Sequence, residues 1–177
     1  MRALAVWRKE TGLEGGETNA STAVVEASDV NGGAIIMGRN MFGGGPGSWS
    51  EDPWNGWWGD NPPFHMPVFV LTHHPRARLD MEGGTSFTFV TDGPDAALAL
   101  AKTAAKGQSV AISGGAGVAR QYIAAGLVDE ILIHRVRVFL GDGVRLFESP
   151  GLLTVKLTQV RVIEAPGVTH LTYRVTR

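Results

Sequence analysis

The chain has no cysteine among its 177 residues. Disulfides, thiolate nucleophiles and sulfur-bound metal are thereby excluded, and the composition is compatible with a reducing cytoplasm, where the chain is expected to reside. It also lacks an excess of charge of either sign: 16 Lys and Arg stand against 17 Asp and Glu, a net charge of −1. Nucleic acid and anionic membrane surfaces both demand a concentrated basic field, so neither is expected as a partner. Long apolar runs are missing too. Stretches such as Val68-Phe69-Val70-Leu71 and residues 96–101 fall far short of the ~20 residues that span a bilayer. The patch from Met1 to Arg8 has neither the long apolar region nor the cleavage pattern of a secretory signal.

What is abundant is glycine, with 24 residues, many at the ends of apolar runs, where they mark tight turns and close backbone approach. The hydrophobic fraction of 44% supplies a sizeable core, and the length suits one domain over 1–177. Residues 1–20 read as a loose lead-in. A short helix is expected over Ser21–Val30, capped by Ser21 or Thr22. Ala34–Met37 is a buried strand ending at Gly38, and Arg39–Phe42 opens a helix that the glycines at 43–45 soon end. Pro67–Thr72, Phe87–Thr91 and Ser109–Ser113 read as further buried strands. Pro94–Lys106 reads as a helix capped by Asp92 or Gly93, and a second helix runs to about Ala125, with Gly126 as its cap. Asp129–Leu140 alternates as a long strand, and Val155–Glu164 with Val168–Val175 reads as an antiparallel hairpin around Ala165-Pro166-Gly167. The fold class is therefore α/β: three layers, α-β-α, around a mixed, mostly parallel sheet that ends in an antiparallel hairpin. Between the first two strands, the 43–66 segment carries four prolines and four tryptophans. That many aromatics argues against disorder, and the loop is expected to pack over a groove.

Three strand ends carry candidate chemistry. Ser113-Gly114-Gly115-Ala116-Gly117-Val118 joins a strand to a helix start; such a turn either cradles a phosphate on bare backbone N–H groups or simply turns tightly. Gly38-Arg39-Asn40 repeats the arrangement with a guanidinium alongside, which either forks onto a phosphate or lies on the surface. Leu71-Thr72-His73-His74-Pro75-Arg76 brings a hydroxyl, imidazoles and a cation to a third strand end. The adjacent histidines diverge, so no metal is expected there. Phosphate ligands gather at the carboxyl ends of parallel strands, and three such ends together weigh more than one. Other polar residues receive plainer readings. Asp129 and Glu130 cap a turn, Asp142 shapes its Gly-Asp-Gly turn, and His134 is a core or interface residue rather than a proton donor. The tryptophans form a lid or a dimer patch rather than a base-stacking platform, because no Lys or Arg is interleaved.

Gly38-Arg39-Asn40-Met41, Val70-Leu71-Thr72-His73, Ile112-Ser113-Gly114-Gly115-Ala116, and Leu127-Val128-Asp129-Glu130 leading to Phe139-Leu140-Gly141-Asp142-Gly143 stand in an order that resembles the dihydrofolate reductase-like superfamily. Within it the chain looks most like the reductase domain of bifunctional riboflavin biosynthesis proteins and the stand-alone bacterial proteins related to it, from about Ala34 to Tyr173. The resemblance implies NADPH as cofactor. Gly38, Arg39 and Asn40 match the helix start that holds its phosphates. Leu71, Thr72 and His73 match the strand end near the adenosine phosphate, with Arg76 assisting. Gly114, Gly115, Ala116, Gly117 and Val118 match the pyrophosphate and nicotinamide-ribose turn, with Ser113 facing nicotinamide and substrate. The implied reaction is hydride transfer to a small heterocyclic or ribosylamino-pyrimidine-like substrate, in a cytoplasmic homodimer. No side chain is singled out as catalytic. Relatives open with a central strand and a Ser-Leu-Asp-Gly-like segment, whereas Met1–Trp7 and the glycines after it resemble the stretch beyond that strand. The expectation is that this strand is absent, its place taken by Met1–Trp7 or by a partner chain. A non-catalytic dimeric ligand-binding protein of the same fold is the competing expectation.

Overall fold

The computed structural model describes residues 4–10, 12–30, 32–51, 54–148 and 155–176. The chain's contacts resolve into two compact units, Asn31–Gln121 and a second formed by Met1–Val30 with Tyr122–Arg177.

In the Asn31–Gln121 unit the strands are β1 (Gly32–Gly38), β2 (Pro67–Leu71), β3 (Leu79–Asp80), β4 (Ser86–Val90) and β5 (Ser109–Ile112), in the order β3-β4-β2-β1-β5. All pairings are parallel except that of β3, a two-residue strand that the sequence pattern does not reveal. β1 is interior and buried on both faces, which is why its sequence is a continuous run of small and apolar residues rather than an alternating one. The chain steps from β1 to β2 to β4 in one direction, then returns past both to reach β5. Because parallel crossovers are right-handed, connections running in opposite directions cover opposite faces.

The return connection is helix α4 (Pro94–Ala105), with Gly93 at its N-cap, Pro94 opening it and Asp95 in the positive first turn. Ala97, Ala101 and Ala105 lie fully buried, four residues apart, against β1, β2 and β5. Small residues let the helix sit very close. A Cβ added at Gly33 would stand 2.7 Å from both the Cα and the carbonyl oxygen of Ala105. Backbone atoms cannot swing aside as a side-chain tip can, so Gly33→Ala is expected to cost about 1–3 kcal/mol of stability. A urea midpoint equal to that of the parent would refute this.

The opposite face is covered by α3 (Arg39–Phe42) and the 43–66 loop. Phe42 is fully buried, meeting Phe87 and Phe89 edge-on with ring centroids 5.1 and 5.2 Å away and Trp49 at 6.0 Å. Trp58 stacks on Phe87 at 5.8 Å. The loop thus builds the core directly on the sheet, where the sequence suggested that it would roof a groove. Its indole N–H groups do a second job. Trp57 donates to the Met41 carbonyl at 3.1 Å and Trp54 to that of Phe42 at 3.0 Å. A four-residue helix leaves its last carbonyls without partners, and these two tryptophans supply them.

In the second unit, α1 (Ala5–Glu10) and a bridge between Leu4 and Glu17 replace the expected loose lead-in. Ala5–Trp7 are therefore helical and fill no strand position; Met1–Ala3 lie outside the described residues. α2 (Ala20–Val30) is capped by Asn19 rather than by Ser21 or Thr22. The Asn19 carboxamide accepts the Ser21 N–H at 2.9 Å, while Thr22 Oγ1 accepts the Asn19 N–H at 3.1 Å, a reciprocal box. Helix α5 (Ala116–Ala124), which begins in the first unit, ends with the Gly126 N–H on the Ile123 carbonyl and the Leu127 N–H on that of Tyr122, with Gly126 at φ +67° as expected.

The strands here are β6 (Glu130–Val136), β7 (Lys156–Ala165) and β8 (Val168–Thr176), antiparallel in the order β6-β8-β7. The expected hairpin is present as β7–β8. β6 stops short of the expected Leu140. Val136 pairs with Val168, the first residue of β8, so among the described residues no strand lies beside 138–140. In these two sheets β5 and β6 each form an edge. The α/β architecture expected from the sequence is present, with a mixed and mostly parallel sheet, flanking helices and a C-terminal antiparallel hairpin.

Candidate functional site

All three candidate strand ends belong to the Asn31–Gln121 unit and lie at one end of its sheet. Register pairs Gly38 with Leu71, Leu71 with Val90, and Ile36 with Ile112. The strand order reverses between β1 and β5, the position at which open α/β sheets leave a crevice beyond their carboxyl ends.

At that crevice the structure joins the two glycine turns. The Gly38 N–H donates to the Gly114 carbonyl at 3.1 Å, and the Ser113 N–H to that of Ile36 at 2.9 Å. A Cβ on Gly38 would lie 2.8 Å from Val118 Cγ2, so glycine is what lets α5 start against the end of β1. Gly114, at φ +75°, is joined to Gly115 by a cis peptide bond. Val118 and Ala119 both donate to the Gly115 carbonyl, placing Gly115 at the cap of α5. The amides of Ala116 and Gly117 then belong to the first turn, whose N–H groups have no intrahelical acceptor.

Arg39 follows directly. Its guanidinium carbon lies 3.7 Å from the centroid of the Trp49 ring, and Nη1 donates to the Gly47 carbonyl at 2.5 Å. Nε and Nη2 are shut away from solvent without a hydrogen-bond partner. Those two groups form one edge of the guanidinium, the fork that meets two oxygens of a phosphate or carboxylate side by side. A buried cationic donor left unmade costs more than an ordinary lost hydrogen bond, so the pair marks a position that wants an oxyanion. Arg76 approaches the same indole, its guanidinium carbon 4.8 Å from the ring centroid, and donates to the Trp54 carbonyl at 2.5 Å and to Asn55 Oδ1 at 2.6 Å. Burial, and then the neighbouring Arg39 charge, lower the Arg76 pKa below the ordinary guanidinium value. The two cations thus share the Trp49 ring.

The other residues of the set are placed differently. Thr72 is buried, and its hydroxyl closes a turn by accepting the His74 N–H at 3.2 Å. It is engaged locally rather than offered outward. His73 and Asn40 are exposed, and Leu71 is partly buried at the end of β2. Among the described residues no cluster of three potential metal ligands occurs, and no helix is long and apolar enough to cross a membrane.

Two residues escaped the sequence reading. Trp49, whose indole N–H donates to the His74 carbonyl at 3.0 Å, is the surface that both arginines share. Its only sequence signal is a tryptophan in a glycine-rich loop after a strand-end arginine. In the second unit, buried His170 lies between Ser21 Oγ, 2.8 Å from its Nε2, and His134 Nδ1, 2.6 Å from its Nδ1. His134 itself is exposed on β6 and meets His170 across the β6–β8 pair, so it is not the core residue that its alternating strand suggested.

Comparison with known proteins gives this geometry a context. The chain superposes on a protein from Shewanella sp. PV-4 assigned to riboflavin biosynthesis with a TM-score of 0.57 and 21% identity, covering 86% of this chain and 78% of that one. It superposes on Acinetobacter baumannii RibD with a TM-score of 0.57 and 16% identity, covering 94% of this chain and 53% of that one. For a pyrimidine reductase-like protein from Corynebacterium diphtheriae the TM-score is 0.54 at 15% identity, over 92% and 83% of the two chains. The chain therefore spans about half the length of the Acinetobacter protein. No curated protein matches its sequence significantly. The profile of the RibD C-terminal domain matches residues 9–171, nearly the whole chain. The chain belongs to the RibD C-terminal domain family.

Proposed function

We propose that this chain is an NADPH-dependent reductase of the riboflavin-biosynthesis type that acts, as a homodimer, on a small heterocyclic or ribosylamino-pyrimidine-like substrate. The observation that carries the cofactor reading is the buried, unpartnered fork of Arg39 at the end of β1, next to a second guanidinium. Family membership and the reductase-like fold neighbours support the reaction class.

The residues present fit a dinucleotide phosphate. Arg39, with Arg76 beside it, would hold a terminal phosphate. Ala116 and Gly117 would offer first-turn amides to the pyrophosphate, and the absent side chains of Gly114 and Gly115 would let it approach. Ser113 stands where the strand meets that turn. The bound cofactor supplies the hydride, while the chain's share is orientation and the exclusion of water. The run of exposed apolar residues Val138, Phe139, Leu140, Val144 and Phe147 supports self-association.

Titration with NADPH and NADH, followed by energy transfer from tryptophan to nicotinamide, tests the reading. Arg39→Ala is expected to weaken NADPH by about 10- to 100-fold and NADH far less, the worth of a hydrogen-bonded ion pair. Absence of any NADPH response at high micromolar concentration in the parent protein would overturn the proposal.

A further inference from the structure

The cluster around Trp49 supports a more specific statement, which rests on the cofactor reading above. Arg39 and Arg76 are like charges at 3.7 and 4.8 Å from one indole centroid, close enough for the field of Arg39 to disfavour protonation of Arg76. Like charges repel one another, and an aromatic ring is one of the few neutral surfaces that attracts both. That face is itself held firmly. The indole N–H is tied to the His74 carbonyl, in the turn closed by Thr72, and the ring packs edge-on against Phe42 and Phe89. Trp49 thus links the end of β1, through Arg39, to the turn after β2, through His74.

We infer that Trp49 is the positioning residue that confers preference for a phosphomonoester-bearing cofactor: its π face holds the Arg39 and Arg76 guanidiniums in one orientation, so that both meet a single dianionic phosphate. The preference for NADPH over NADH then resides in an aromatic loop residue as well as in the arginines. Phosphate specificity needs the ring face, not the indole nitrogen.

Equilibrium dissociation constants for NADPH and NADH are to be measured on the full chain carrying Trp49→Leu, Trp49→Phe and, separately, Arg39→Ala. Trp49→Leu keeps bulk but removes the π face, and is expected to reduce the NADPH-over-NADH preference about tenfold. Trp49→Phe restores a ring and is expected to recover most of it. A merely structural role would weaken both cofactors alike and leave the ratio unchanged, which would overturn the inference. If Arg39→Ala collapses the preference while Trp49→Leu preserves it, the cofactor reading stands and the role of Trp49 falls. If the parent protein shows no preference, or Arg39→Ala leaves an existing one intact, the phosphate assignment itself falls and takes this inference with it.

Discussion

Phe42→Ala is expected to remove about 3–5 kcal/mol of stability from the Asn31–Gln121 unit, the cost of deleting a buried phenyl ring and leaving a cavity. The site has little means of collapsing to fill that cavity. Phe42 is enclosed by Phe87 and Phe89 on β4 and by Trp49 and Trp58 on the loop. The strand residues are fixed by register on an interior part of the sheet. The tryptophans are fixed by their own hydrogen bonds or by stacking. Part of the loss should appear as a change in the tryptophans themselves, because Trp49 and Trp58 both pack against the Phe42 ring. Urea unfolding followed by tryptophan emission checks this. A loss below about 1 kcal/mol would mean that the cluster repacks, contrary to the close-packed arrangement described. NADPH affinity is expected to fall as well, since α3 carries Arg39 at one end and Phe42 at the other.

Acidification is expected to weaken the second unit through its histidine pair. The 2.6 Å bond between the Nδ1 atoms of His134 and His170 needs one proton between two nitrogens, and His170 Nε2 is bonded to buried Ser21 Oγ. Burial, and for His134 also the neighbouring His170, lower both pKa values below the ordinary 6.5. Above pH 6.5 the pair is neutral whether folded or unfolded, and the full stability is present. Below it the unfolded chain takes up protons that the folded pair resists, so stability declines as pH falls. A second proton would set two N–H groups against each other and break the bond. Replacing His170 by Phe should flatten this acid dependence. At neutral pH it should also cost about 1–3 kcal/mol, because Ser21 Oγ loses its buried partner. Hydrogen exchange of the β6 and β8 amides, read above and below pH 6.5, distinguishes these outcomes. An acid slope that survives in the His170 variant would assign it to other groups.

Much of the site was legible because its signals are local. A continuous apolar run, a glycine and a change of period are enough to place Gly38 and Gly114 at strand ends, and the parallel register brings those ends to one side of the sheet. The helix over Pro94–Ala105 was legible for the same reason: Pro94, the alanine stripe and the glycine after Lys106 act within a few residues of one another. The Asn19 cap also has a local signal, an Asn with a Thr three residues later. Ser21 and Thr22 compete with it as capping residue types, yet they already sit inside the first turn.

What no pattern could show is pairing across distance. Nothing in the alternation of β6 announces where β8 begins, yet that residue decides where β6 stops. Ser21 and His170 are 149 positions apart, and their bond exists only because α2 packs against the sheet that holds β8. Likewise the 43–66 loop was recognisably aromatic and ordered. Whether it roofs a groove or forms the core depended on which sheet face the chain's crossovers left open. Composition, glycine placement and periodicity by themselves determined the fold class and the strand ends, because backbone hydrogen bonding and turn geometry are set within a few residues. Only the tertiary structure decided that two nitrogens of Arg39 are buried as an empty fork beside Trp49, because burial and unmet hydrogen bonds are properties of what surrounds a side chain rather than of its neighbours along the chain.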